Sequence, residues 1–270
     1  MSTDAENPFL LADQAAAAIR EHSGIPRYDI ALVLGSGWGG AAELIGDLID
    51  EIPAEDVPGF SAPAVKGHGT SLRTLRIHGS DKIALVLGSR THYYEGKGTR
   101  AVAHGMRTAA SLGCSTVVLT NGCGGLNPHW KPGQPVLIRD HINLTAATPL
   151  EGANFVDLTD LYSQRLRDLA HTVDESLPEG VYVQFPGPQY ETPAEVRMAK
   201  IIGGDLVGMS TTLEAIAARE AGMEILGISL MTNLGAGISP VPLSHAEVLE
   251  AGQAAAPRIS RLLADIVQKI

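Results

Sequence analysis

The chain is poor in sulfur and in positive charge, and it has no long uninterrupted apolar helix signal. Only two of its 270 residues are cysteines, Cys114 and Cys123. Two thiols make no disulfide framework, and no Cys-x-x-Cys or Cys/His spacing suggests zinc, so no metal is expected. This usage fits a reducing compartment, and a cytoplasmic location is expected. Lys and Arg number 20 against 30 Asp and Glu, a net charge of −10. The field of such a chain repels nucleic acid and anionic lipid, so neither is an expected partner. A small anion would have to be held by a few local donors. The N-terminal residues, acidic at Asp4 and Glu6, lack the basic and apolar regions of a secretory signal, and none is expected. The uncharged run Ile225 to Ser244 is broken by Pro240, Pro242, three glycines and Thr232-Asn233. That pattern excludes a continuous spanning helix. What remains is ordinary for a globular protein: 44% hydrophobic and 19% charged residues. A chain of this length buries roughly 75% of its unfolded surface without metals or disulfides.

Glycines and prolines cluster at turns and show no repeat. They separate strand candidates at Tyr28 to Leu34, Leu72 to Ile77, Ile83 to Leu87, Thr116 to Thr120, Val136 to Arg139, Val181 to Phe185 and Ile225 to Met231. Several are continuous apolar runs, as strands covered on both faces require. Helices are predicted at Thr99 to Leu112, Leu161 to Glu175, Pro193 to Ile202 and Thr212 to Ala221. An N-terminal helix should start at Asn7-Pro8 and bury Leu11, Ala15, Ala18 and Ile19. A last helix should open with the Ser244-His245-Ala246-Glu247 capping box and bury Val248, Leu249, Ile259, Leu262, Leu263 and Ile266. The alternation predicts a single α/β domain over residues 1–270, with a largely buried mixed sheet.

The polar residues gather where strands end. Gly35 to Gly40 matches G-x-G-x-x-G, but the acidic residue of a dinucleotide site is missing at the required spacing, since Asp50 and Glu51 come too early. The cluster reads either as a tight turn or as a turn presenting N–H groups and Ser36 to a phosphate. In the stretch after Ile83 to Leu87, Arg90, His92 and Tyr94 share one side if the chain stays extended. Arg90 offers a planar fork for phosphate oxygens and His92 a further donor; a solvated polar loop is the alternative. His68, between two glycines, is a mobile donor or a surface residue. Thr120-Asn121-Gly122-Cys123-Gly124-Gly125 lets backbone approach a ligand, with Cys123 read as a small packed residue. In Gly187-Pro188-Gln189-Tyr190-Glu191-Thr192, Tyr190 can stack on a planar base and Glu191 accept from ring N–H groups, or Glu191 simply begins a helix. Ser210 is in no G-x-S-x-G elbow. Thr232-Asn233 is a turn or a recognition amide.

Taken in order, these motifs resemble the trimeric, low-molecular-mass class of purine nucleoside phosphorylases. The carriers are GSG at 35–37, RTHYYEG at 90–96, TNGCGGLNP at 120–128, RDHINL at 139–144, GPQYET at 187–192, VGMST at 207–211, TN at 232–233 and HAEVL at 245–249. The resemblance runs from Ile30 to about Gly252 and implies a mixed, partly barrelled sheet flanked by helices, assembled as a homotrimer. It implies reversible phosphorolysis of 6-oxopurine (deoxy)ribonucleosides, inosine and guanosine, in purine salvage. Inorganic phosphate is then a co-substrate, and no metal or organic cofactor is required. On this likeness Ser36, His68, Arg90, His92, the Gly122 backbone and Ser210 hold phosphate. Tyr94, Met209 and His245 bound the ribose, and Phe155 enters a neighbouring subunit's site. Tyr190, Glu191, Val207 and Asn233 bind the purine, and Asn233, Glu191 and His92 carry the catalytic roles. The sister methylthioadenosine phosphorylases typically have Ser, Asp and an apolar residue at positions 191, 233 and 245; this chain has Glu191, Asn233 and His245. Tyr190 stands where many members have Phe, Gly122-Cys123 replaces an Ala pair, and the loop Leu234 to Pro242 looks bacterial. These departures leave the preference between inosine and guanosine open. The rival readings are a methylthioadenosine phosphorylase, a non-catalytic nucleotide-binding protein of the same fold and, more distantly, an NAD oxidoreductase.

Overall fold

A computed structural model describes residues 7–61, 70–88, 90–238 and 245–270 of the chain. Helix α1 (Pro8–Ser23) begins as its sequence dictates. The Asn7 side chain accepts from the Phe9 and Leu10 amides, Pro8 occupies the first helical position, and Gly24 ends the helix at φ +70°. Such a cap contributes about 1 kcal/mol. Its buried face is Ala12, Ala15, Ala16 and Ile19, so Leu11 and Ala18 lie at the border rather than the centre.

Strand β1 (Ile30–Val33) is followed by a short α2 (Ala42–Ile45) and then by β2 (Gly46–Pro53), β3 (Ser71–Ile77) and β4 (Ile83–Leu87). Next come α3 (Gly98–Leu112), β5 (Thr116–Gly125), β6 (Gln134–Asn143), α4 (Gln164–His171), β7 (Glu179–Gln184) and α5 (Pro193–Ile201). Strand β8 (Leu206–Gly208), α6 (Thr212–Glu220), β9 (Glu224–Leu234) and α7 (His245–Val267) complete the chain. All nine strands form one mixed sheet in the order β2-β3-β4-β1-β5-β8-β7-β6-β9. Strand β9 also pairs with β5, in parallel. The five strands from β5 to β9 therefore close on themselves, and the expected partly barrelled α/β sheet is what the pairing shows.

Helices cover both sides of the open part. The side chains of Ala31 and Val33 on β1 join a core with Ile19 of α1 and Met106 of α3. Those of Ile30 and Leu32 join another with Leu166 of α4 and Ile259 and Leu263 of α7. Period-two alternation thus feeds two cores from one strand. Some expected details change. The helix predicted from Leu161 starts only at Gln164, because the Ser163 hydroxyl caps it, while Leu161 and Tyr162 are buried. In α7, Leu249 is 42% exposed rather than in the core.

Candidate active site

Strands β1, β4, β5, β8 and β9 end around one cavity of about 370 Å³. The β1 loop is tied down onto β5: the Gly35 amide donates to Thr120 Oγ1 (3.0 Å) and the Trp38 indole to the Asn121 carbonyl (3.0 Å). A Cβ at Gly35 would stand 2.6 Å from the Thr120 carbonyl oxygen, so only glycine permits this approach. The result sets Ser36 beside Gly122 at the cavity wall. The dinucleotide reading falls here. The loop leads into a four-residue helix and an antiparallel strand, β2, instead of a crossover helix to a parallel strand.

Arg90 leaves β4 and is 7% exposed. Its Nε donates to Glu214 (3.0 Å) and its Nη1 to the Thr120 carbonyl (2.8 Å), with Ser210 Oγ at 3.5 Å. Nη2 is buried without a hydrogen-bond partner among the described residues. His92 and Tyr94 reach the same cavity although Tyr93–Glu95 forms a tight 3₁₀ turn instead of the expected extended chain. Their rings stack at 4.8 Å and 14°. The Glu95 carboxylate accepts from the His92 amide (2.7 Å) and pairs with Lys97 (3.0 Å). Burial pushes Glu95 upward, but those donors outweigh it and hold its carboxyl below the usual range.

Across the cavity, Glu191 is 9% exposed and its Oε1 has no hydrogen-bond partner among the described residues. Burial raises its pKa above the ordinary carboxylate value. It does not begin a helix: Thr192 caps α5, exchanging hydrogen bonds with Glu195. Glu191 is therefore left facing the cavity beside Tyr190 and Val207. Thr232-Asn233 is no turn either, since both lie inside β9. The register jumps from Cys123↔Met231 to Gly124↔Asn233, leaving Thr232 as an extra residue. This bulge brings both side chains to the cavity wall, where regular alternation would send one away. Thr232 Oγ1 donates to Asn233 Oδ1 (2.8 Å), and Asn233 Nδ2 donates to the Leu234 carbonyl (3.0 Å). One hydrogen of that amide NH₂ remains for a ligand.

Met209 and Tyr94 approach the cavity together, with Gly187 behind them. Gly187 has φ +68°, and a Cβ there would stand 2.5 Å from Met209 Sδ. Eleven of the expected site residues thus line one cavity: Ser36, Arg90, His92, Tyr94, Gly122, Tyr190, Glu191, Val207, Met209, Ser210 and Asn233. Phe155 does not. It is 95% exposed and lies outside the cavity of its own chain. His68 and the side chain of His245 lie outside the described residues. Cys123 lines the cavity, but burial pushes its thiol up to about 12, so it stays protonated and unreactive. Among the described residues no group of three or more His, Cys, Asp or Glu could hold a metal ion, and no helix is long and apolar enough to cross a membrane.

The sequence reading gave no role to Asn121 or Thr232, which also line the cavity. Asn121 is 1% exposed, donates to Thr211 Oγ1 (2.9 Å) and leaves Oδ1 unpartnered. A signal was present: Thr-Asn occurs at 120–121 and again at 232–233, in two strands that the fold makes neighbours.

Comparison with known proteins agrees with this geometry. The model of the phosphorylase superfamily matches residues 29–268. The purine nucleoside phosphorylase of a Cellulomonas species is 68% identical over 268 residues, covering 98% of this chain and 95% of that protein. That of Mycobacterium tuberculosis is 51% identical, covering 100% of both. The purine nucleoside phosphorylase of Schistosoma mansoni, solved with inosine and with adenosine, superposes with a TM-score of 0.86 at 32% identity, covering 96% of each chain. With the fold, the cavity and these likenesses in agreement, the chain belongs to the purine nucleoside phosphorylases of the phosphorylase superfamily.

Proposed function

We propose that this chain catalyses the reversible phosphorolysis of 6-oxopurine nucleosides, inosine and guanosine and their 2′-deoxy forms, to the free base and (deoxy)ribose 1-phosphate. The observation that carries this reading is a single cavity with opposite needs at its two sides. A buried guanidinium nitrogen of Arg90 and a buried carboxylate oxygen of Glu191 both lack hydrogen-bond partners among the described residues. An oxyanion answers the first and a ring N–H the second.

Arg90, Ser36, His92, Ser210 and the Gly122 backbone hold phosphate below the sugar, with His68 as a further donor. A phosphate oxygen forms the new bond to C1′ as the C1′–N9 bond breaks, and the bonding pair leaves with the purine. Positive charge building on the ribose faces the bound anion, while negative charge on the base is met by the Asn233 amide, which donates to N7 and lies near O6. Glu191 accepts from N1–H, Tyr190 and Val207 flank the base, Tyr94 and Met209 bound the sugar, and His245 reaches the 5′-hydroxyl. Adenine has a bare N1 and would leave Glu191 unpaired, a mismatch that can reach several orders of magnitude. That difference favours the 6-oxopurine reading over methylthioadenosine phosphorolysis. Phosphate is a co-substrate, and the scheme needs no metal or organic cofactor. We further propose a homotrimer in which Phe155 completes a neighbour's ribose site.

Hypoxanthine release from inosine, followed with and without phosphate, tests the reading. Turnover only with phosphate is expected. Turnover without it, or on methylthioadenosine alone, would overturn the assignment.

A further inference from the structure

We propose that Glu214 is a positioning residue for phosphate, fixing the Arg90 guanidinium against the Ser210-Thr211 turn so that both present their donors to one anion. The proposal rests on the phosphorolysis reading above and deepens its phosphate site.

Glu214 does not line the cavity; it acts through its neighbours. Its side chain and that of Arg90 are 6% and 5% exposed, so the pair is buried. The carboxylate accepts from Arg90 Nε (3.0 Å) and from the Thr211 amide (3.1 Å). With Nη1 directed to the Thr120 carbonyl, two of the three guanidinium nitrogens are fixed, and Nη2, without a partner among the described residues, is left for a ligand. The planar fork then has one orientation. Thr211 is held at φ +80°, the left-handed region that β-branched residues avoid. Contacts that keep it there include the Glu214 carboxylate at its amide and Asn121 Nδ2 at its hydroxyl (2.9 Å). The Tyr182 hydroxyl accepts from the adjoining Ser210 amide (3.3 Å). One carboxylate thereby sets the register between the loop after β4 and the turn after β8.

Charge and geometry make opposite predictions. As a mere counter-charge, Glu214 competes with phosphate for Arg90, and neutralising it would tighten phosphate binding. As a positioning group, its replacement weakens phosphate while leaving the nucleoside side alone. Glu214→Gln keeps the volume but offers a single acceptor atom, and its amide NH₂ meets a donor at the other contact. Glu214→Asp keeps the charge and shortens the reach. For both variants the expected result is a phosphate KM raised about 10-fold or more, with inosine KM at saturating phosphate changed less than about 3-fold. Calorimetric titration of inorganic phosphate into the nucleoside-free enzyme should show the same loss. Unchanged or tighter phosphate binding in Glu214→Gln overturns the proposal. So does a fall in melting temperature with both KM values unmoved, or the failure of both variants to fold. A wild-type enzyme that turns inosine over without phosphate would overturn the functional reading itself, whereas an active, phosphate-dependent wild type with unaffected variants overturns only the role of Glu214.

Discussion

Glu191 is under two opposed demands. Burial raises its pKa above the ordinary value of 4.5, with the nearby Glu195 adding to the rise. Between 4.5 and that raised value the folded chain holds more protons than the unfolded one, so stability falls as pH climbs through the window. Above it the ionised carboxylate, with one oxygen unpartnered among the described residues, weakens the empty protein while serving the proposed contact to the base. Glu191→Gln is therefore expected to raise the melting temperature at pH 7 by a few degrees. The same change should lower kcat/KM for inosine about 10-fold or more, since the charge-assisted bond to N1–H is lost. Differential scanning fluorimetry and steady-state kinetics read the two effects. A variant equal to wild type in both would remove Glu191 from the base site.

At the scale of elements, the close approach of the β1 loop to β5 sets the proposed phosphate side. Gly35→Ala would drive a methyl into the Thr120 carbonyl and within 3.0 Å of Arg90 Nη1. A loss of about 1–3 kcal/mol in stability is expected, together with a raised phosphate KM, measured by denaturant unfolding and by phosphate titration of the rate. Unaltered values for both would mean that the loop can shift away. Much of this level was legible in the sequence. Apolar runs and glycine punctuation located β4 and β5, and Asn7-Pro8 located the start of α1, because these signals are local. The second half of β5 was not legible: Asn121 to Gly125 looks like loop, yet it is strand because β9 supplies the pairing. The bulge at Thr232 was hidden for the same reason, and so was the capture of Arg90 by Glu214, 124 positions away in sequence. The sequence reading predicted a helix from Thr212 but gave Glu214 no role; the fold brings the arginine to it.

At the scale of the whole molecule, Phe155 is the outlying residue. At 95% exposed it contributes almost nothing to its own chain's stability. In a monomer Phe155→Ala would be silent. In the proposed trimer it should raise nucleoside KM about 10-fold, with phosphate KM and melting temperature near wild type, and sedimentation should read three chains. A silent substitution, or a single-chain mass with full activity, removes the shared site. The closed ring of strands has a consequence of its own. Gly122 and Asn233 stand on adjoining strands, Gly122 opposite Leu230 and Asn233 opposite Gly124, in a ladder that cannot slide without unfastening the barrel. The interval between Gly122 and Asn233 is thus cut into the backbone like the jaws of a calliper locked at one setting, and in the proposed scheme it gauges the span from phosphate to purine.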